Sequence, residues 1–134
     1  MDKKHYNLFL DDHRQPKDVK WIDLPPVEWI VVKTYDEFVN TIQKNGIPAC
    51  ISFDHDLGDE HYQEYFRANN GDKTIRYGNF KEKTGFECAK WLANFCVDTG
   101  TPLPLYYIHT LNGMGRMNIF AILESARKCI VPKT

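Results

Sequence analysis

Four short apolar runs divide this chain, and helix-patterned or irregular segments separate them. The runs are YNLFL at 6–10, EWIVVK at 28–33, ACISF at 49–53 and PLYYI at 104–108. Apolar runs of this length, with little alternation between apolar and polar residues, are typical of strands covered on both faces. Because helical patterns lie between them, the sequence predicts an α/β fold with a mostly parallel sheet.

Capping signals mark where the predicted helices begin. Thr34-x-x-Glu37 and Thr84-x-x-Glu87 both have the spacing of a capping box, in which each side chain binds a backbone N–H group of the first turn. A third helix is predicted after the turn LNGMGR at 111–116. These three helices follow the second, third and fourth strands.

Two segments show no lasting helical or strand period. Residues 13–27 contain three prolines and predict an irregular connection. Residues 59–83 are polar and rich in aromatic residues, and a compact domain rarely keeps an irregular stretch of this size without a use for it. We therefore predict a single domain over 1–134, with an insertion at 59–83 that acts as a lid or specificity loop.

Composition limits the possible partners. The net charge of −1 provides no basic field, so we expect no bulk non-specific binding of nucleic acid. The apolar stretch near the N-terminus is too short for a signal sequence or a membrane span, which predicts a cytoplasmic protein. The four cysteines form no CxxC pair, and we expect them to be reduced core residues rather than a zinc site.

Ionisable and polar side chains follow three of the four predicted strands. They are Asp11, Asp12 and Arg14 after the first strand, Asp54, His55 and Asp56 after the third, and His109, Thr110 and Asn112 after the fourth. Singly, such residues are often helix caps, turn formers or hydrogen-bonded core histidines. In a parallel sheet, however, the strand ends share the edge at which ligands bind, so their convergence favours a functional site.

The carboxylates predict a cation. Asp11, Asp12, Asp54 and Asp56 would repel one another if ionised together without a compensating charge. Carboxylate oxygens, with water and phosphate, are the usual ligands of Mg²⁺ or Mn²⁺. We therefore predict a Mg²⁺ or Mn²⁺ site, and either Asp54 or Asp56 could supply the ligand from the third strand.

The remaining polar residues suit a phosphate ester. His55 and His109 could serve as general acid and base, in either order. Arg14 and Arg116 are candidates for fork-like contacts to phosphate oxygens. The turn from Asn112 through Gly115 leads into a helix, and its backbone N–H groups could hold an anion.

Taken together, the motifs resemble those of the cyclic-phosphate processing receiver-like family. The matching pieces are LFLDDHRQP, WIVVKTYDE, ISFDHDLG, TGFECAKWL and IHTLNGMGRMNI, in this order along the chain. The resemblance implies a receiver-like (flavodoxin-like) α/β fold. With the strand pattern above, we expect three layers and a short, mostly parallel sheet of about four strands. The sequence predicts no fifth strand after the last helix, and hence no lysine at the position where phospho-receivers carry one.

The resemblance also implies an enzyme, a phosphoric ester hydrolase that processes cyclic phosphates. The expected substrate is an RNA 2′,3′-cyclic phosphate end or a cyclic nucleotide. The positions that match the family's motifs are Asp11, Asp12, Arg14, Asp54, His55, Asp56, His109, Asn112, Gly115 and Arg116. Two alternatives stay open: a non-catalytic protein that sequesters a nucleotide, and a phospho-receiver signalling module, which the missing lysine and the two histidines disfavour.

Overall fold

A computed structural model of the protein describes residues 6–57 and 83–131. Its centre is a sheet of four parallel strands, β1 (Asn7–Leu10), β2 (Ile30–Val32), β3 (Cys50–Phe53) and β4 (Leu105–Ile108), in the order β2-β1-β3-β4. Each strand falls within one of the four apolar runs, so the predicted parallel α/β sheet is confirmed. The predicted insertion at 59–83 lies outside the described residues, apart from Lys83.

Three helices connect and follow the strands. They are α1 (Tyr35–Asn45), α2 (Gly85–Thr99) and α3 (Gly113–Cys129), as the capping and turn signals predict. The connection between β1 and β2 contains only one short 3₁₀ turn, Pro16–Asp18. None of the helices in the described ranges has the length and apolar character needed to cross a membrane.

Only one of the two predicted capping interactions forms. The Thr34 hydroxyl accepts a hydrogen bond of 3.1 Å from the Glu37 backbone N–H group, as expected for the start of α1. The prediction of a second capping box was wrong, because the Thr84 side chain makes no capping hydrogen bond. Instead, the Gly85 N–H group donates to the His55 carbonyl at 2.7 Å, which ties the start of α2 to the end of β3.

The three helices pack on one face of the sheet. Leu8 and Leu10 of β1, with Ile51 and Phe53 of β3, belong to a single buried hydrophobic core shared with all three helices. The helical members of this core include Phe38, Ile42, Cys88, Leu92, Cys96, Ile119, Leu123 and Ala126. Since side chains alternate along a strand, the residues between them face the other way.

The opposite face is covered by the connection between β1 and β2. Phe9 is fully buried there, with the Trp29 ring edge-on to it at 6.1 Å between centroids. Both faces of the sheet are therefore covered, as a three-layer fold requires. Among the described residues, the layer opposite the helices contains a single 3₁₀ turn and no α-helix. Cys50, Cys88 and Cys96 are free and buried, as expected, whereas Cys129 is free and exposed.

Candidate functional site

Asp11 is a hydrogen-bonded carboxylate at the sheet edge, directly after β1. Its Oδ1 accepts hydrogen bonds of 2.8 Å from the backbone N–H groups of both His13 and Arg14. Its Oδ2 lies 2.9 Å from His109 Nε2 and 3.5 Å from the Arg14 guanidinium. Burial alone would raise the pKa of this carboxyl, but these hydrogen bonds outweigh it and hold the pKa below its ordinary value. Asp11 is therefore an ionised carboxylate within the fold.

His109 is fully buried, and both of its ring nitrogens have partners. Nε2 contacts Asp11, and Nδ1 lies 2.7 Å from the Ser52 hydroxyl oxygen. The ring stacks on Phe9, with centroids 4.4 Å apart and planes 5° from parallel. Burial lowers the pKa of His109, and the neighbouring Asp11 carboxylate offsets this only in part. The imidazole is thus neutral near physiological pH.

Asp54 lies beside Asp11 and is almost completely buried. Burial, and then the charge of Asp11, raise its pKa well above the ordinary value, against the opposing effects of the His55 backbone N–H group and Arg14. One ligand atom from each of Asp11, Asp54 and His109 can be chosen so that all three lie within 4.8 Å of one another. The donor set fits a divalent cation, since a positive charge here would favour an ionised Asp54.

A second hydrogen-bonded group lies on the helical side of the sheet edge. His55 Nδ1 is 3.1 Å from Asp56 Oδ1. The Asn112 side-chain amide donates to both Asp56 carboxylate oxygens, at 3.3 and 3.2 Å. All three residues are buried. The three predicted residues that follow β3 thus lie in two groups. Asp54 lies with Asp11 and His109, whereas His55 and Asp56 lie with Asn112.

The start of α3 is organised by Asn112 and Gly115. The Asn112 side-chain oxygen caps the helix by accepting the Gly115 N–H group at 3.0 Å. The predicted anion site would use the backbone N–H groups at the start of this helix. The Gly115 N–H group already donates to Asn112 and is not available to an anion. A Cβ atom on Gly115 would overlap the His55 ring, so glycine at 115 allows close packing between α3 and the histidine.

Arg14 lies at the border of the Asp11 group, with its side chain 25% exposed. Its guanidinium carbon is 5.2 Å from the centroid of the Trp21 ring. The Trp21 indole N–H group donates to the His109 carbonyl at 2.8 Å, and this fixes the irregular connection to the end of β4. Arg14 is therefore a partly exposed cation held next to the buried carboxylates.

The remaining predicted residues are Asp12, Thr110 and Arg116. Asp12 is half-buried and lies 3.5 Å from His13 Nε2. The Thr110 hydroxyl accepts the Asn112 N–H group at 3.2 Å and so shapes the turn before α3. Arg116 is exposed and lines an open apolar groove along β4 with Met117 and Phe120.

Sequence reasoning missed three residues that build this site. Ser52 was hidden because one small polar residue in an apolar run does not alter the strand pattern. Trp21 lies in a proline-rich connection that carries no period. Gly85 seemed an ordinary residue of the first helical turn, but a Cβ atom there would overlap the Asp54 carbonyl oxygen. Of the three, only Gly85 had a signal, since glycine is a poor helix former.

Comparison with known families connects this geometry to a described group of proteins. A family model described as the cyclic-phosphate processing receiver domain matches residues 6–125. Searches of curated proteins and of solved structures gave no match.

Proposed function

The chain belongs to the cyclic-phosphate processing receiver family, and on that premise we propose that it is a metal-dependent phosphoesterase. The proposed substrate is a cyclic phosphate, either the 2′,3′-cyclic end of an RNA or a cyclic nucleotide. The observation that carries this proposal is the buried pair of carboxyls, Asp11 and Asp54, whose ligand atoms lie within 4.8 Å. A protein has little reason to bury two such acids side by side unless a cation or a proton joins them.

The donor set favours Mg²⁺ or Mn²⁺, because both prefer carboxylate oxygens with water and phosphate. Such a cation would supply charge stabilisation for the phosphoryl oxygens. Asp11 and Asp54 would hold it, with Asp12 as a further carboxylate at the rim of the site. Asp54 lies in the cluster with Asp11 and His109, whereas Asp56 lies with Asn112, so we assign the ligand that follows β3 to Asp54.

Arg14 is proposed to bind the phosphate. Its guanidinium is kept beside the site by Asp11 and by the Trp21 ring, and it is the partly exposed cation next to the carboxylates. A guanidinium can form two parallel hydrogen bonds to phosphate oxygens. Arg116, at the start of α3, is proposed to contact a more distant phosphate or sugar of the same substrate.

The two histidines have different proposed parts. His55 is proposed to transfer a proton through Nε2, because its Nδ1 contacts Asp56 and this contact orients the ring. His109 has partners at both ring nitrogens, so we assign it to orienting Asp11 rather than to proton transfer. Asn112 and Thr110 hold Asp56 and the turn in place, and Gly115 leaves room for the His55 ring.

The proposal is tested by incubating the full chain with nucleoside 2′,3′-cyclic phosphates and 3′,5′-cyclic nucleotides, with Mg²⁺, Mn²⁺ or a chelator. Chromatography then identifies the monophosphate formed. We expect turnover only with a metal, its loss in Asp54→Asn, and a decrease of about 10²- to 10⁴-fold in His55→Ala. The matched control is Asp98→Asn, the same chemical change at an exposed position on α2, which should keep full activity.

The outcomes separate the remaining alternatives. Binding of a cyclic nucleotide without turnover would favour the protein that sequesters a nucleotide. Equal activity in Asp54→Asn and Asp98→Asn would show that the buried carboxyls do not take part. Absence of both binding and turnover would refute the proposed function.

A further inference from the structure

Ser52 is a fully buried polar residue in the middle of β3, on the face that is turned away from the helices. Its hydroxyl oxygen lies 2.7 Å from His109 Nδ1, and His109 Nε2 lies 2.9 Å from Asp11 Oδ2. Three side chains from three different strand regions thus form one series of hydrogen bonds. The series ends at the Asp11 carboxylate, which the proposed function makes a ligand of the cation.

A serine, a histidine and an aspartate also form the triad of many hydrolases, but this serine is not a nucleophile. A nucleophilic hydroxyl must reach the reacting atom of the substrate. Ser52 pairs with Phe9 on one side and Tyr107 on the other, and its relative exposure is 0%. Its hydroxyl can therefore act only through His109.

The positions of the protons follow from the acceptors. Asp11 Oδ1 accepts two backbone N–H groups and its Oδ2 faces the Arg14 guanidinium, so both oxygens are placed as acceptors and Oδ2 accepts from His109 Nε2. The His109 ring is fully buried against Phe9, which favours a neutral imidazole; this has a single N–H group, and Nδ1 is then an acceptor. The Ser52 hydroxyl is the partner at that nitrogen, and it must donate. Stacking on Phe9 fixes the plane of the ring in which both hydrogen bonds lie.

We propose that Ser52 is a positioning residue that holds His109 as the Nε2–H tautomer, so that His109 supports Asp11 as a ligand and does not bind the cation itself. The part that concerns the cation rests on the proposed function; the part that concerns the tautomer does not. Geometry alone would also admit His109 as a third ligand. Two points argue against this: Nε2 lies within hydrogen-bonding distance of Asp11 Oδ2, at 2.9 Å, and Mg²⁺ prefers oxygen.

The tautomer is measured directly by ¹⁵N NMR of histidine side chains in the metal-free chain at neutral pH, with His109 assigned through His109→Gln. We expect wild-type His109 to show a protonated Nε2 and an unprotonated Nδ1. Ser52→Ala should lose this single tautomer, and Ser52→Thr, which keeps the hydroxyl, should retain it. A wild-type Nδ1–H tautomer, or a Ser52→Ala spectrum identical to wild type, would overturn the proposal.

Ile51→Val controls for loss of stability. Ile51 is the fully buried neighbour of Ser52 and faces the helices, so the substitution weakens the core without touching His109. Its imidazole spectrum should match that of wild type. If Ser52→Thr does not fold, wild type, Ser52→Ala and Ile51→Val still decide the question. A shift of the tautomer in Ile51→Val would show that the ring responds to stability alone, and it would overturn the role of Ser52.

The cation is tested by calorimetric titration with Mg²⁺ and by the same spectra at saturation. We expect wild-type Nε2 to keep its proton, and Ser52→Ala to bind Mg²⁺ about 10- to 100-fold more weakly. Loss of the Nε2 proton on Mg²⁺ binding would make His109 a ligand and overturn the proposal. If wild type binds no Mg²⁺, the proposed function and the cation part fall together, while the metal-free spectra still decide the tautomer.

Discussion

Replacing Asp54 by asparagine should make the metal-free protein more stable at neutral pH. Asp54 is 1% exposed, and burial together with the nearby Asp11 charge raises its pKa well above the ordinary value. The fold therefore favours the neutral form of this side chain. Asparagine has nearly the same shape and is always neutral, so the substitution removes the unfavourable charge while it also removes a proposed metal ligand.

The size of the effect depends on pH, and its sign follows from the raised pKa. Above an ordinary aspartate pKa of about 4 the unfolded chain loses this proton, while the folded carboxyl still holds it. The free energy of unfolding of wild type then falls, relative to Asp54→Asn, by about 1.4 kcal/mol per pH unit until the pH passes the raised pKa of Asp54. For a domain of this size each such unit corresponds to roughly 3–6 °C in Tm.

The separation of the two carboxyls indicates why the shift is large. The ligand atoms of Asp11 and Asp54 lie at most 4.8 Å apart. Two unit charges at that distance repel each other by about 3.5 kcal/mol at an effective dielectric constant of about 20. Arg14 and the His55 backbone N–H group offset part of this repulsion. The remainder opposes ionisation of Asp54 in the metal-free protein.

The assay is a series of thermal melts from pH 4 to pH 8 in the presence of a chelator. Wild type and Asp54→Asn should melt at similar temperatures at the acidic end and separate as the pH rises, with the variant more stable. Asp11→Asn is the matched control and should show the opposite sign. The pKa of Asp11 is lowered, so its contribution is present at neutral pH and is lost as the pH falls through its folded value. If Asp54→Asn were less stable than wild type at pH 7 without metal, the reasoning on buried charge would be refuted.

Three further predictions concern packing, metal binding and the irregular connection. Gly115→Ala should lower the free energy of unfolding, measured by urea denaturation, by about 1–3 kcal/mol, because the new Cβ atom would overlap the His55 ring. The control is Gly113→Ala, whose Cβ atom would have nothing within 4 Å and which should be neutral or slightly stabilising. Equal effects of the two substitutions would contradict the packing argument. Mg²⁺ at a hundredfold excess over its Kd should stabilise wild type by about 2.7 kcal/mol in thermal melts. An unchanged melting temperature would refute the predicted metal site. Trp21→Phe should lower the free energy of unfolding by about 1 kcal/mol in urea, because it loses the hydrogen bond to the His109 carbonyl, and no change would show that this bond does not anchor the connection.

The fold could be predicted from the sequence because its signals are local. Apolar runs such as ACISF identify strands, and the Thr34 cap identifies the start of α1 without knowledge of distant residues. The prediction of a Thr84 cap was wrong for a non-local reason. The start of α2 is held by the hydrogen bond from the Gly85 N–H group to the His55 carbonyl, and local sequence does not reveal this contact. The layer opposite the helices could not be predicted either, since its contacts come from a connection without any period.

The clustering of the site's side chains at the sheet edge was predictable from the sequence, but their contacts with one another were not. Parallel topology correctly predicts that the ends of β1, β3 and β4 converge, and Asp11, Asp54 and His109 do lie together. The two histidines, however, look equivalent in sequence and differ in structure. Only the contact with Ser52 shows that both ring nitrogens of His109 have partners, and this contact spans 57 positions along the chain.

The position of β3 in the sheet explains how one short motif supplies both halves of the site. β3 lies between β1 and β4, so its end has neighbours on both sides. Successive residues leave a strand on opposite faces, which sends Asp54 toward Asp11 and His55 toward Asn112 and α3. A substrate at this edge would meet the carboxylates and Arg14 from one face and the His55 group from the other. An extra residue inserted between Phe53 and Asp54 would exchange these faces, and we expect it to abolish metal binding even where the sheet still folds.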